Sequence, residues 1–204
     1  GITMTQWQRW FANPDVWDEI LRRAAWGFKD AADKYAILTV YNGVSSGSPD
    51  NLLTTRSVGI AAADRDAYQV LVDLATALDK TNTPDDDRWA WAGPDFFGVL
   101  KQDPRTISFG TEGNVARYKG GIPGEIEAAG FRVIKTNNVY TALSSAHAVI
   151  AGHRMAASFA DRLSDLSVYE PESYIGDKAA KQGYAYGCKV TMPEAIAVCP
   201  ITIA

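Results

Sequence analysis

An α+β fold is predicted by three features of the 204-residue chain. A long two-faced helical pattern runs near the start, strand-like runs punctuated by glycine and proline follow from the middle onward, and no regular strand-helix alternation links them. The elements read helix, helix, strand, helix and then two groups of strands, with neither an internal repeat nor a low-complexity tract.

Composition sets the outer bounds. A chain of this length suits one domain, or one domain with a lobe, and is long enough to bury a real core. Apolar residues make up 47% and charged residues 22%, an ordinary globular balance. No run approaches the roughly 18 apolar residues expected of a membrane span. A net charge of -4 without clustered Lys and Arg argues against a broad nucleic-acid-gripping face. Gly1-Ile2-Thr3 has no basic or apolar leader pattern and lacks an initiator methionine, so the chain is expected to be cut or to carry extra residues before Met4.

Trp7, Trp10 and Phe11 form a short aromatic stripe expected to pack on the next helix. Asn13-Pro14-Asp15 supplies a cap, a proline for the first turn and an early acid, which starts a helix. Val16, Ile20, Ala24, Phe28, Ala31, Tyr35 and Leu38 mark its expected apolar face, with charged residues filling the other. Asp18 with Arg22, Glu19 with Arg23 and Asp30 with Lys34 are favourably oriented pairs four apart, each worth about 0.3 kcal/mol. Asn42-Gly43 reads as the stop, giving a rod roughly 40 Å long at about 1.5 Å per residue.

The stretch Gly43 to Gly59 reads as a surface loop or hinge. A second helix is expected from an Asp64 cap, burying Ala67, Val70, Leu71, Leu74 and Leu78 and ending before Pro84. A polar turn, Pro84-Asp85-Asp86-Asp87-Arg88, leads into a strand at Trp89-Ala90-Trp91-Ala92, and Pro94 to Asp103 reads as a short helix packed on it. Thr106 to Phe109 and Val115 to Tyr118 are strand candidates among glycines, and a turn at Ala129-Gly130 precedes a strand from Phe131. Ala146 to Ala151 reads as helix or strand, with Met155, Ala156, Phe159 and Ala160 at helical spacing. Asp161 to Gln182 reads as a loop, and Tyr184 to Met192 and Ala195 to Ile203 as strands paired into the core sheet.

Little here points to catalysis. His147 and His153 are six apart, a spacing that forms no metal pair, and Cys188 and Cys199 sit eleven apart, which suits reduced core thiols. Three consecutive carboxylates, Asp85 to Asp87, cannot all converge on one ion and read as a solvated turn with Arg88 damping the charge. Gly120-Gly121-Ile122-Pro123-Gly124 lacks the Gly-Lys-Ser/Thr ending of a phosphate loop, and no serine sits in a Gly-x-Ser-x-Gly elbow. No enzyme activity, cofactor or metal site is expected.

The order P-D-D-D-R-W from Pro84, P-D-F-F-G-V-L from Pro94, G-G-I-P-G-E-I from Gly120 and A-G-F-R-V-I-K-T-N-N from Ala129 resembles tailed-phage major capsid proteins of the HK97-like shell fold, nearest the P22 coat-like branch. The closing segment Tyr184 to Ala195 extends the resemblance, which covers roughly Val16 to the C-terminus. It implies a long spine helix in a peripheral lobe and a mixed α+β axial lobe. The implied division is 1–63 for the spine-helix part, 64–183 for the axial lobe and 184–204 for C-terminal strands returning to the core sheet.

The implied function is structural: self-assembly into hexamers and pentamers of an icosahedral virion shell around DNA, formed in the host bacterial cytoplasm, with scaffold or portal proteins as partners. Neither sequence-specific nucleic-acid binding nor membrane association is implied. Shell subunits of this type carry an N-terminal arm and a long hairpin, the E-loop, ahead of the spine helix. Only about a dozen residues precede Asn13, so a weakly associating domain without those segments is expected. The lysine-asparagine cross-link of one subfamily is not expected at Asn137 or Asn138, since its lysine would come from the E-loop. Expected contact segments are Gly43 to Asn51, Gly110 to Gly124 and Ser164 to Lys181, because loops on a rigid scaffold usually carry interaction. The alternatives are an encapsulin-type nanocompartment shell, told apart by its protein cargo, and a small α+β hydrolase or ligand-binding protein, told apart by a deep polar pocket.

Overall fold

The computed structural model describes residues 2–4, 15–47, 49–59, 67–103, 125–143, 147–169 and 178–203. Two compact units emerge, each built from two stretches of chain: residues 34–158 with 188–204, and residues 1–33 with 159–187. These units divide the chain at different places from the three consecutive segments expected above. The aromatic stripe Trp7 to Phe11, the Asn13-Pro14 start, the Asp64 cap, the strand candidates Thr106 to Phe109 and Val115 to Tyr118, and the glycine run Gly120 to Gly124 lie outside the described residues.

The larger unit is a six-stranded mixed sheet between helices. Its strands are β2 (Arg56–Val58), β3 (Arg88–Ala92), β4 (Glu125–Ala128), β5 (Phe131–Lys135), β6 (Ala148–His153) and β11 (Ile196–Ile203), in the spatial order β2-β11-β6-β3-β5-β4. The pairs β2 with β11 and β3 with β5 are parallel, and the other three are antiparallel. The α+β class is therefore met by a sheet that mixes both pairings.

One face of the sheet carries α2 (Ala67–Lys80) and α3 (Pro94–Gln102). Val70, Leu71, Leu74 and Leu78 of α2 recur at helical spacing and pack with Phe96, Phe97 and Leu100 of α3 over Ala90, Ala92, Val133 and Ala151. Pro94 at the start of α3 fixes the backbone angle the first turn needs. The carboxylate at the start of α2 is supplied from far along the chain: buried Asp103 accepts a hydrogen bond from the Tyr68 N–H at 3.3 Å. An acid at this end also meets the positive end of the helix dipole.

The opposite face is covered by α1 (Asp15–Gly47), whose residues from 34 onward belong to this unit. Ile37, Val40 and Val44 pack on Ala148, Ile150, Ile196 and Val198, so β6, covered on both faces, is buried throughout. That burial explains why Ala148 to Ala151 shows no alternation and reads equally as helix or strand. Trp89 and Trp91 lie on the α1 face, ring centroids 4.2 Å apart, while Ala90 and Ala92 face the other helices. Gly152 is the cross-strand partner of Trp89, and a Cβ there would lie 3.0 Å from the indole and 3.1 Å from the Ala195 carbonyl oxygen. Only a glycine admits the ring at this contact.

Three expectations about α1 and its surroundings are corrected. The helix does not stop at Asn42-Gly43 but continues to Gly47, 33 residues in all. Gly43 is there for packing rather than termination: an added Cβ would sit 2.6 Å from Val190 Cγ2 and 3.0 Å from Val190 Cβ. The buried face also differs, because Ala32, Ile37, Val40 and Val44 are buried while Phe28, Tyr35 and Leu38 are exposed. Of the charged pairs, Arg23 with Glu19 is seen at 2.9 Å on the exposed surface.

Turn chemistry is local. β4 and β5 are joined at Ala129 and Gly130, with φ of 49° and 80°, the positive values that tight hairpins use. A short helix α4 (Asn138–Ala142) follows, buried at Val139.

In the smaller unit, the stretch from Asp161 to Gln182 is strand-rich in its described residues rather than a loop. β1 (Ile2–Met4), β8 (Ser167–Tyr169) and β9 (Lys178–Lys181) form a three-stranded antiparallel sheet in the order β1-β9-β8. β7 (Ala157–Leu163) and β10 (Tyr184–Val190) pair as a two-stranded ribbon. The ribbon end is tied by the Ser164 N–H to the Gly183 carbonyl at 2.8 Å and by the Gly183 N–H to Ser164 Oγ at 2.6 Å. Only one of the two C-terminal strands, β11, joins the core sheet; β10 pairs in the ribbon. Met155 and Ala156 lie in a tight turn and Phe159 and Ala160 in β7, so their helical spacing is fortuitous.

Candidate assembly surfaces

The first expected contact segment, Gly43 to Asn51, is not a loop. Residues 43–47 end α1, a single helical turn spans Pro49–Asn51, and Asn51 is buried. Its amide Nδ2 donates to the Glu194 carbonyl at 2.8 Å and to the Ile196 carbonyl at 2.9 Å. These bonds fasten the turn to the start of β11 and satisfy the buried Ile196 carbonyl, while the Glu194 carbonyl also accepts from Thr81 Oγ1 at 2.9 Å. An internal clamp, rather than a free contact loop, is what this residue forms. The second segment, Gly110 to Gly124, lies outside the described residues.

The third, Ser164 to Lys181, is described at 164–169 and 178–181 and carries much exposed apolar surface. Leu166, Val168 and Tyr169 are each about half exposed, as are Phe159 and Leu163 just before them. Along β7 every residue from Ser158 onward is exposed, and so is all of β8. Phe28 of α1 lies 6.0 Å from Tyr184, ring to ring, and Tyr184 lies 5.3 Å from Tyr186. The Tyr184 hydroxyl donates to Asp161 at 3.2 Å. Burial and the neighbouring Asp30 carboxylate push the Asp33 carboxyl above its usual range, against the pull of Lys29. Apolar side chains on a paired strand, left open to water, are the features of an interaction surface. The sequence missed these strands because β8 is three residues long and β7 mixes polar and apolar residues.

The triple-aspartate turn distributes its charges. Arg88, buried although charged, contacts Asp79 Oδ1 and Asp85 Oδ1 at 2.8 Å each and donates to the Pro84 and Thr83 carbonyl oxygens at 2.7 and 2.5 Å. Asp86 faces His153 Nε2 at 3.7 Å and Asp87 faces Arg154 at 3.8 Å. Each of the three carboxylates thus faces a different partner, Arg88, His153 and Arg154. The turn is structural, with Arg88 as the anchor at the start of β3.

Histidines and cysteines stand apart. His153 is buried, its Nδ1 accepting the Met155 N–H at 3.2 Å, while His147 lies against the Tyr140 ring at 4.7 Å. Both cysteines are free; burial pushes the Cys199 thiol up to about 11 and raises that of Cys188. A protonated thiol is a poor nucleophile and a poor metal ligand. Among the described residues no group of three or more His, Cys, Asp or Glu is placed to hold a metal ion. No described helix is long and apolar enough to cross a membrane.

Neither a family model nor a curated protein matches the chain. Solved structures do. A structure from Mycobacterium phage Che8 superposes with a TM-score of 0.70 at 19% identity, covering 97% of this chain and 68% of that one. The capsid structure of cyanophage P-SCSP1u gives 0.70 at 16% identity over 100% of this chain and 70% of that one. The mature capsid of bacteriophage PhiM1 gives 0.64 at 12% identity, with 98% and 69% covered. At such identities the likeness speaks for the fold, and it spans the whole chain rather than one motif. The chain therefore has the fold of these phage capsid structures, an α+β body of the HK97-like type.

Proposed function

We propose that this chain is a structural subunit of a bacteriophage capsid, self-assembling into a closed icosahedral shell that encloses DNA. The observation that carries the reading is that likeness to phage capsid structures extends over 98 to 100% of the chain. The surface is consistent with such work: exposed apolar strands in the smaller unit offer contact area. The net charge of -4 suits a wall that surrounds DNA without gripping it. Its task is mechanical rather than catalytic.

In finer terms, subunits associate as hexamers and pentamers, assembled in the host bacterial cytoplasm with scaffold or portal proteins, and reside in the virion. We assign Gly110 to Gly124 and Ser164 to Lys181 as contact segments.

The test is sedimentation velocity with negative-stain microscopy on the purified protein across a concentration series. Rings or closed shells are expected above a threshold concentration. A chain that stays monomeric throughout contradicts the reading.

A further inference from the structure

The three-stranded sheet of the smaller unit ends abruptly. Its middle strand β9 buries both Ala179 and Ala180, which alternate to opposite faces, so the centre of the sheet is covered on both sides. One strand away all of β8 is exposed, with Val168 at 51% and Tyr169 at 50%, again one on each face. Sheet edges are usually blunted by lysine, proline or a bulge. Ser167-Val168-Tyr169 carries none of these, only two residues of high strand propensity.

At the other edge of the same sheet lies β1, and among the described residues neither edge has a further strand. The two edges are flush. Ile2 and Val168 both stand opposite Ala180, and Thr3 and Tyr169 both stand opposite Ala179. Since β1 and β8 are each antiparallel to β9, they run in the same direction.

We propose that the β8 edge of one copy receives the β1 edge of the next as a parallel strand, carrying the sheet from subunit to subunit. This rests on the capsid reading and names one contact within it. A copy displaced across the sheet presents β1 to β8 at the same level and uses both edges that lack a further strand among the described residues. A two-fold pairing of β8 with β8 would be antiparallel and leave both β1 edges bare. The contact is therefore heterologous, the kind that closes into rings. Three-residue pairing makes a weak bond, but each copy carries both edges, and repetition around a ring multiplies its effect.

The experiment compares assembly thresholds, by light scattering and sedimentation, for the unaltered protein, Val168→Lys, Tyr169→Lys and Met155→Lys. Met155 is 57% exposed and lies in the turn before β7, outside β1, β8 and β9. Expected is a threshold raised tenfold or more by each β8 substitution, an unchanged threshold for Met155→Lys, and melting temperatures within a few degrees of one another. Cross-linking of the unaltered protein below its threshold is expected to give a series extending past the dimer. Normal assembly of both β8 variants, or a cross-linked series that ends at the dimer, overturns the inference and leaves the capsid reading standing. An unaltered protein that never associates overturns the capsid reading itself.

Discussion

Replacing Gly43 with alanine separates two accounts of why a glycine sits near the end of α1. In an exposed helix the change is favourable by about 1 kcal/mol. Here the new Cβ would lie 2.6, 3.0 and 3.3 Å from Val190 Cγ2, Cβ and Cγ1. Ordinary carbon contacts are about 3.5 to 4.0 Å, so helix and strand must part by roughly 1 Å. Rotating Val190 does not help, because its Cβ is among the clashing atoms and a β-branched side chain is stiff. Overpacking of this kind costs about 1–3 kcal/mol, which offsets the propensity gain and leaves a net loss of up to about 2 kcal/mol. For a chain of this size that is up to roughly 8 °C in melting temperature.

The assay is a double-mutant cycle with Val190→Ala, followed by thermal and urea unfolding. Val190→Ala alone removes packing and costs about 1 kcal/mol. In the double variant both Cγ contacts are gone and only the 3.0 Å contact with the residue-190 Cβ remains, so part of the helix gain returns and the two changes couple favourably by about 1 kcal/mol. A Gly43→Ala protein more stable than the original, or strictly additive effects, would refute the packing argument. A glycine serving only to end the helix would also be destabilised by alanine but would show no coupling to Val190.

Arg88→Met removes the donors to the Thr83 and Pro84 carbonyls; because Asp79 and Asp85 are largely exposed, the ion pairs add little, and a loss of about 2–3 kcal/mol is expected in urea unfolding. At Asn51, alanine costs about 1–2 kcal/mol by removing the donor to the buried Ile196 carbonyl and one of two donors to the Glu194 carbonyl, which keeps Thr81 Oγ1, and Asn51→Asp costs at least about 1 kcal/mol more, because its carboxylate faces the same oxygens with no donor. Equal stabilities for the two variants would contradict the clamp. Cys199 predicts a pH effect of definite sign: with the folded thiol up to about 11 and the unfolded one near about 8.5, stability is unaffected below about pH 8.5 and falls as pH rises toward 11, by about 2 kcal/mol at pH 10. Cys199→Ala should flatten that slope, and an unchanged slope would contradict the assignment.

Much of the larger unit could be read in advance because its signals were local and strong. Val70, Leu71, Leu74 and Leu78 repeat at helical spacing, Pro94 punctuates the chain, and Ala129-Gly130 suits a hairpin. Where tertiary packing overrode local pattern, the reading failed. Gly43 resembles a helix end, but its reason is a valine 147 positions away along the chain, invisible to any local rule. Phe28, Tyr35 and Leu38 outweigh smaller residues in apolar bulk, yet Ile37, Val40 and Val44 meet the sheet. Asn51 looked like loop composition because its two acceptors lie more than 140 residues further on. β8 and β9 were hidden by shortness and by alanines with no marked strand preference.

Electron cryo-microscopy of particles formed by the purified protein addresses self-assembly and fold together. Closed icosahedral shells are predicted, whose subunit density shows one unbroken helix over residues 15–47 beside a six-stranded sheet ordered β2-β11-β6-β3-β5-β4. Particles absent at every concentration, or a subunit whose helix breaks at Gly43 and whose sheet has another order, would contradict it.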